Sequence, residues 1–351
     1  MSTEIKKRNS NIELLRIIAM FSVVTSHIVT HCIIPQWRMQ GSFDLDKKIY
    51  ILNVMIPWGN VSNDLFLIIS GYFLIVKEGA INIVSISKKL LYQLFYSVAI
   101  LVFISNILYR VSGHSDVIHM ISIMEINNFS WYIGYYFLVI AIAAFWLNAV
   151  LCRIAKETYL KILFVFFSVI TFSWSSSFFG GFGGNSGLIQ LLTGVFLYAL
   201  GGYIRKFEPF KDIRTITLFF IIALFYFMLF IATINFNEIV HHDDQNFFAI
   251  ITAICLFEIF SRINIPNIRA INFLGASSFM VYLVHDNSFF YNFWDINDWM
   301  KLLTEAPVSY CLQLFIYGLL TFITGVVCYI TYILFVKILK KLKFLFIRKT
   351  N

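Results

Sequence analysis

The sequence predicts an all-α, polytopic membrane protein of about ten transmembrane helices, with both termini in the cytoplasm. Three observations predict it. First, 59% of the 351 residues are apolar and only 13% charged, with a mean hydropathy of +0.79; a soluble domain carries roughly 25% charged residues. Second, ten apolar stretches reach or approach the ~20 residues that a span requires. Third, Lys and Arg alternate between the connections: 21 fall on one set and five on the other, Arg16 being the remaining one. That asymmetry is the positive-inside pattern, and an odd number of spans would scramble it.

The spans are placed in order as follows. Span one, 12–34, follows the basic Lys6, Lys7 and Arg8. It is not a cleaved signal peptide, because no small-residue cleavage site follows and the apolar run itself holds Arg16 and His27. Span two, 50–76, ends at Lys77, and span three, 90–110, begins just after Lys88 and Lys89. Span four, 131–151, opens on Trp131 and stops before Arg153. Span five, 160–176, is short; the glycine-rich run Phe178–Gly187 separates it from span six, 187–204. That run follows no strand, so it is read as a flexible outer loop or a re-entrant element and not as a phosphate loop. Span seven, 215–236, starts beyond Arg214; span eight, 247–262, is short and ends at Arg262. Span nine covers 271–292, and span ten, 309–336, runs into a basic tail from Lys337 to Lys349.

The connections are short, no internal repeat is visible, and the chain is read as a single transmembrane domain, 1–351, without a soluble extracytoplasmic part. The net charge of +8 comes from cytoplasmic loops that face lipid headgroups, which excludes a nucleic-acid partner. Five cysteines without a CxxC pair give neither a disulfide framework nor a zinc site. Trp37, Trp58, Trp131, Trp174, Trp294 and Trp299 fall near the outer boundary. Either they form an interfacial belt or some of them stack on a sugar.

The ionisable groups inside the spans carry the functional signal, because each costs at least ~2.5–3.5 kcal/mol at the bilayer centre. Arg16 and His27 lie eleven positions apart, three turns plus ~20°, so they share one helix face, and His31 follows one turn later. Arg16 sits ~6 Å past the inner edge and can reach headgroups or an anionic ligand, whereas His27, at ~22 Å, cannot reach the inner water. Asp64 in span two is near mid-membrane; His285 and Asp286 in span nine fall in the outer half. His27, Asp64 and His285 therefore reach similar depths on three helices, with Asp64 the carboxylate expected to fix the His27 tautomer. Each of these groups also has a structural reading as a hydrogen bond between helices. Glu258 and Arg262 read as an i,i+4 pair. His241–Asp244, "HHDD", reads as a solvated loop rather than a metal site. Ser70–Gly71 reads as close helix packing, or as substrate lining.

These residues also form a known pattern. The Arg16–His27 register, "NDLFLIISGYFLI" (Asn63–Ile75), "SISKKLLYQLFY" (Ser85–Tyr96), "SWYIGYYFLVI" (Ser130–Ile140) and "SSFMVYLVH" (Ser277–His285) resemble elements of the integral-membrane acyltransferase-3 family. Members of that family include O-acetyltransferases of bacterial surface polysaccharides. The chain departs from the pattern at Lys88–Lys89, where arginines are usual, and at "NFSW", which lacks a histidine before the tryptophan. It also ends after span ten, which favours a stand-alone enzyme.

The resemblance implies transfer of an acyl group, most often acetyl, from cytoplasmic acyl-CoA to a sugar hydroxyl in the bacterial plasma membrane. By this reading Arg16, Lys88 and Lys89 contact the donor phosphates, and His27 acts as general base or carries the acyl group. Asp64 would support His27; His285, Ser70 and Trp131 would hold the acceptor, a polysaccharide or lipid-linked glycan; no metal is expected. The rival class is a transporter or flippase of lipid-linked glycans, since intramembrane charges also mark transport routes. It would show paired repeats and interrupted helices, and its vesicles would accumulate substrate without covalent change. A glycosyltransferase would carry larger outer loops.

Overall fold

The computed structural model describes residues 9–39, 57–75, 81–112, 131–178, 187–236 and 247–350. The glycine-rich run at 179–186, the His241–Asp244 loop and Lys77 lie outside the described residues.

The described residues are helical, with no strand among them. In chain order the helices are α1 (Ser10–Met39), α2 (Pro57–Leu74), α3 (Ile83–Val111), α4 (Trp131–Leu151), α5 (Lys156–Phe178) and α6 (Gly187–Phe207). Then come α7 (Thr215–Phe236), α8 (Phe247–Arg262), α9 (Arg269–His285), α10 (Ser288–Trp294), α11 (Trp299–Glu305) and α12 (Pro307–Thr350). Over the described residues each of the ten apolar stretches meets helix, the ninth across two helices. Among the described residues five helices, α1, α3, α4, α6 and α12, are long and apolar enough to cross a membrane by length and composition.

Asparagine and aspartate caps set several helix starts. Asn82 accepts from Ser85 N at the head of α3, and Asp298 accepts from Lys301 N at the head of α11, both at 2.9 Å. The basic segments gather at one end, here called the basic end, because polar side chains tie them together there. Lys206 donates to the carbonyls of Leu151, Cys152 and Ile154 at the close of α4. Arg262 pairs with Glu258 at 2.8 Å and donates to Phe210 O and Ile213 O, pinning the α6–α7 connection. Asn11 and Ser10 hold the α8–α9 connection: Ile265 N donates to Asn11 Oδ1 and Ile268 N to Ser10 Oγ, each at 2.9 Å.

Lipid gives helices no hydrophobic reason to associate, so close backbone approach supplies the packing. The α2–α6 contact is such an approach. A Cβ on Gly71 would strike the Tyr198 carbonyl, and one on Gly201 the Ile68 carbonyl. α2 also packs on α1, and α1 on α9, which joins the helices that carry the polar residues. Large apolar side chains such as Phe95, Phe103, Phe164, Phe172 and Phe220 cover the exterior.

Span nine differs from its expected extent. It ends at His285 instead of running to 292, and the chain restarts as α10. Asp286 and Asn287 leave the helical region, and the Asn287 side chain caps α10 by accepting from Phe290 N at 3.3 Å. Two tryptophans also depart from both sequence readings. Trp294 and Trp299 are fully buried, neither a lipid belt nor a free sugar platform. Trp294 donates to Thr321 Oγ1 at 3.0 Å and Trp299 to Trp294 O at 2.8 Å, so they form the core of the cap over the far end.

Candidate functional site

The break after α9 sits beside a widened turn of α1. Residues Val29–Ile33 form a π-helical turn, a feature that often marks functional positions. Its His31 ring stacks on Tyr291 of α10 with centroids 4.3 Å apart. One turn earlier, the His27 ring lies 4.9 Å from that of His285. The structure thus joins His27, His31, His285, Asp286 and Tyr291 in one cluster between α1, the end of α9 and α10.

The hydrogen bonds define the protonation pattern. His285 is fully buried, and its Nδ1 donates to Tyr282 O at 2.9 Å and Val281 O at 3.2 Å. Its Nε2 therefore carries the lone pair. His27 Nδ1 lies 3.2 Å from that nitrogen and 3.3 Å from Asp286 Oδ1. Both are acceptors, so the proton of neutral His27 belongs on Nδ1 and its Nε2 is left basic. No described residue hydrogen-bonds His27 Nε2. The Asp286 carboxylate is buried and balanced by several groups. Tyr291 OH donates to its Oδ1, and His31 Nε2 stands 3.7 Å from the same oxygen.

This geometry gives His27 a carboxylate that the sequence reading did not assign to it. The carboxylate seen against His27 is Asp286, a residue at a similar depth, to which the sequence reading gave no role. Helix continuation would have carried Asp286 round the helix; the break at 286–287 turns it back onto His27. Asp64 is buried in α2. A Cβ on Gly59 would touch the Ser26 side chain, and Asp64 follows five residues on, ~7.5 Å nearer the basic end. Ser70 lies ~16 Å nearer that end than Gly59, away from the histidines, where its Oγ is 3.0 Å from Tyr136 OH.

Trp131 is half-exposed at the start of α4 and begins a run of rings. It meets Tyr132 at 5.6 Å, Tyr132 meets Tyr282 at 5.6 Å, and Tyr282 meets His285 at 5.8 Å. At the basic end Lys88 and Lys89 are exposed on α3. Arg16 pairs with buried Glu13 at 3.2 Å, and a Cβ on Gly275 of α9 would collide with that Glu13.

Sequence reasoning missed Tyr291 and Glu13 and gave Asp286 no role. "HDNSFF" (His285–Phe290) held a usable signal, since Asn before an apolar run is an N-cap and implies a restart there.

Residues 9–333 match the family model described as an acyltransferase domain, which therefore takes in every residue of the cluster. The chain belongs to the acyltransferase-3 family. No curated protein and no solved structure matches it. As an acyltransferase, the protein needs a group that can deprotonate an acceptor, and His27 has the tautomer for it. The side-chain ligand atoms of His27, His31 and Asp286 also lie within 4.8 Å of one another, close enough to share a cation. The present hydrogen bonds give His27 Nδ1 a proton instead.

Proposed function

We propose that this acyltransferase moves an acyl group, acetyl being the first candidate, from cytoplasmic acyl-CoA to a hydroxyl of a surface polysaccharide or its lipid-linked precursor. It does so in a bacterial plasma membrane that it crosses ten times, with both termini inside. The observation that carries this reading is His27, whose Nδ1–H is held by Asp286 Oδ1 and His285 Nε2 while Nε2 is left basic.

In the reaction His27 Nε2 takes the proton of the acceptor hydroxyl as its oxygen attacks the thioester carbonyl. The new C–O bond forms and the C–S bond breaks. The departing thiolate then takes the proton back from His27 and leaves as free CoA thiol. Asp286 stabilises the imidazolium formed in between, a role suited to a buried carboxylate on the opposite ring nitrogen. Asp64, buried in α2, stays a candidate second carboxylate on the path between the two ends. The rings from Trp131 to Tyr282 supply apolar faces on which a sugar can stack. Lys88 and Lys89, at the basic end, suit the donor phosphates, and Arg16, deeper along α1, suits a polar group farther along the donor.

The test uses purified protein in lipid, acetyl-CoA labelled on the acetyl group, and a cell-envelope glycan extract. Wild type should release thiol and label the glycan only when glycan is present. His27→Ala should lose ~10²–10⁴-fold in that rate, the usual worth of a general base, with unfolding unchanged. A fully active variant would remove His27 from the chemistry. Glycan accumulation in vesicles without label transfer would favour the transporter.

A further inference from the structure

α3 has an unusual partition of residues. Of its apolar side chains, Leu91, Phe95, Phe103, Ile104 and Ile107 are exposed, and Leu94, Tyr96, Ile100 and Leu101 are only partly buried against the core. Its buried residues are Gln93, Ser97 and Ser105, on or near one four-residue row. A helix held only by apolar packing would show the reverse. The face turned inward packs on α9, α4 and α12. On α3 and α9, two polar atoms are buried without a hydrogen-bond partner among the described residues: Gln93 Oε1 and Ser278 Oγ. Both residues are at most 3% exposed. Buried polar atoms are normally paired, so two orphans on neighbouring helices point to a ligand that is itself polar.

Ring contacts give the levels along the membrane normal. Tyr96 meets Tyr332 at 5.3 Å and Phe335 at 5.5 Å, while Phe273 meets Tyr329 at 5.6 Å, so Tyr96 lies about one turn nearer the basic end than Phe273. From the basic end outward the order is Lys88 and Lys89, Gln93, Ser97, then Ser278 with Ser105 near its level, then His285. Glu13 lies against Gly275, and Arg16 and Ser278 each follow three residues on, which brings Arg16 to the level of Ser278. The row therefore spans the interval between the exposed lysines and the histidine cluster.

We propose that Gln93, Ser97 and Ser105 of α3, with Ser278 of α9, line the passage through which the thioester arm of the acyl donor reaches His27. This inference rests on the acyl-CoA reading above. The arm of acyl-CoA carries amide groups and a hydroxyl, which an apolar passage would strand. Gln93 Oε1 can accept from an amide N–H and Ser278 Oγ can donate to an amide carbonyl. The donor's phosphates stay at the lysines while its thioester meets the acceptor near the far end.

The test begins with glycan-dependent thiol release by wild type. If wild type releases none, the donor reading and this inference fall together. If it does, Gln93→Leu should raise the KM for acetyl-CoA about tenfold and leave kcat within twofold, as expected for one lost hydrogen bond. In parallel, Ser97→Cys and lipid-facing Phe95→Cys are treated with a charged methanethiosulfonate reagent, above the wild-type background. Cys at 97 should react and be slowed at least tenfold by saturating acetyl-CoA, and Cys at 95 should show no such protection. With wild type active, an unchanged KM in Gln93→Leu overturns the passage. So does labelling at 97 that acetyl-CoA does not slow, which would assign the row to water or to packing.

Discussion

Replacing Asp286 by Asn tests the tautomer argument directly. The substitution keeps the shape and lets Tyr291 OH continue to donate to Oδ1, but it removes the charge. In the flipped amide orientation, which gives up the Tyr291 bond, the NH₂ group takes the place of Oδ1 and faces His27 Nδ1 across the present 3.3 Å contact. When that amide donates, the His27 proton moves to Nε2 and the base is lost. A hydrogen bond to a charged partner contributes ~1.5–3 kcal/mol, so losing it frees the tautomer equilibrium. Loss of a general base costs ~10²–10⁴-fold, or ~2.7–5.4 kcal/mol of barrier. His285 Nε2, 3.2 Å away, still accepts from His27 Nδ1 and retains part of the correct tautomer. The expectation is therefore the lower bound, a kcat reduced ~10²-fold with the KM for acetyl-CoA unchanged. Removing a buried charge should leave the unfolding temperature equal or higher. The assay is thiol release with glycan extract, beside a thermal melt in lipid. A loss under threefold, or one confined to the donor KM, would refute the assignment of Asp286 as the group that fixes His27.

Three further outcomes follow from the packing and the site. Gly71→Ala should separate α2 from α6, because the added Cβ meets the Tyr198 carbonyl, which cannot move aside; a melt in lipid should show a loss of at least ~1–3 kcal/mol. Gly275→Ala should push on Glu13, whose Cβ would lie 2.8 Å from the new methyl, and so disturb the Arg16 pair; the donor KM should rise several-fold with kcat nearly kept, and an unchanged KM would detach Arg16 from the donor. Dialysis against a chelator should leave activity within twofold, since a cation on His27 Nδ1 would displace the proton shared with His285; activity lost and then restored by zinc would turn the cluster of His27, His31 and Asp286 into a metal site.

The sequence by itself determined the helices, their apolar character and the family. Long apolar runs leave the backbone no alternative to internal hydrogen bonding, so the described part of each predicted stretch emerges as helix, the ninth with a break after His285. It also determined that His27 and Arg16 are special, because charge in such a run is costly whatever surrounds it. The Glu258–Arg262 pair and the Ser70–Gly71 contact were legible for a similar reason: i,i+4 spacing and small residues act locally. Only the tertiary structure decided that Asp286 lies against His27. Residue spacing gives depth along a helix but not which neighbour faces it, so Asp64 and Asp286 were equivalent on depth. The choice came from a two-residue break after His285 that sets Asp286 beside His27. The same limit hid Glu13, whose burial depends on the space left by Gly275 on another helix, 262 positions away in sequence.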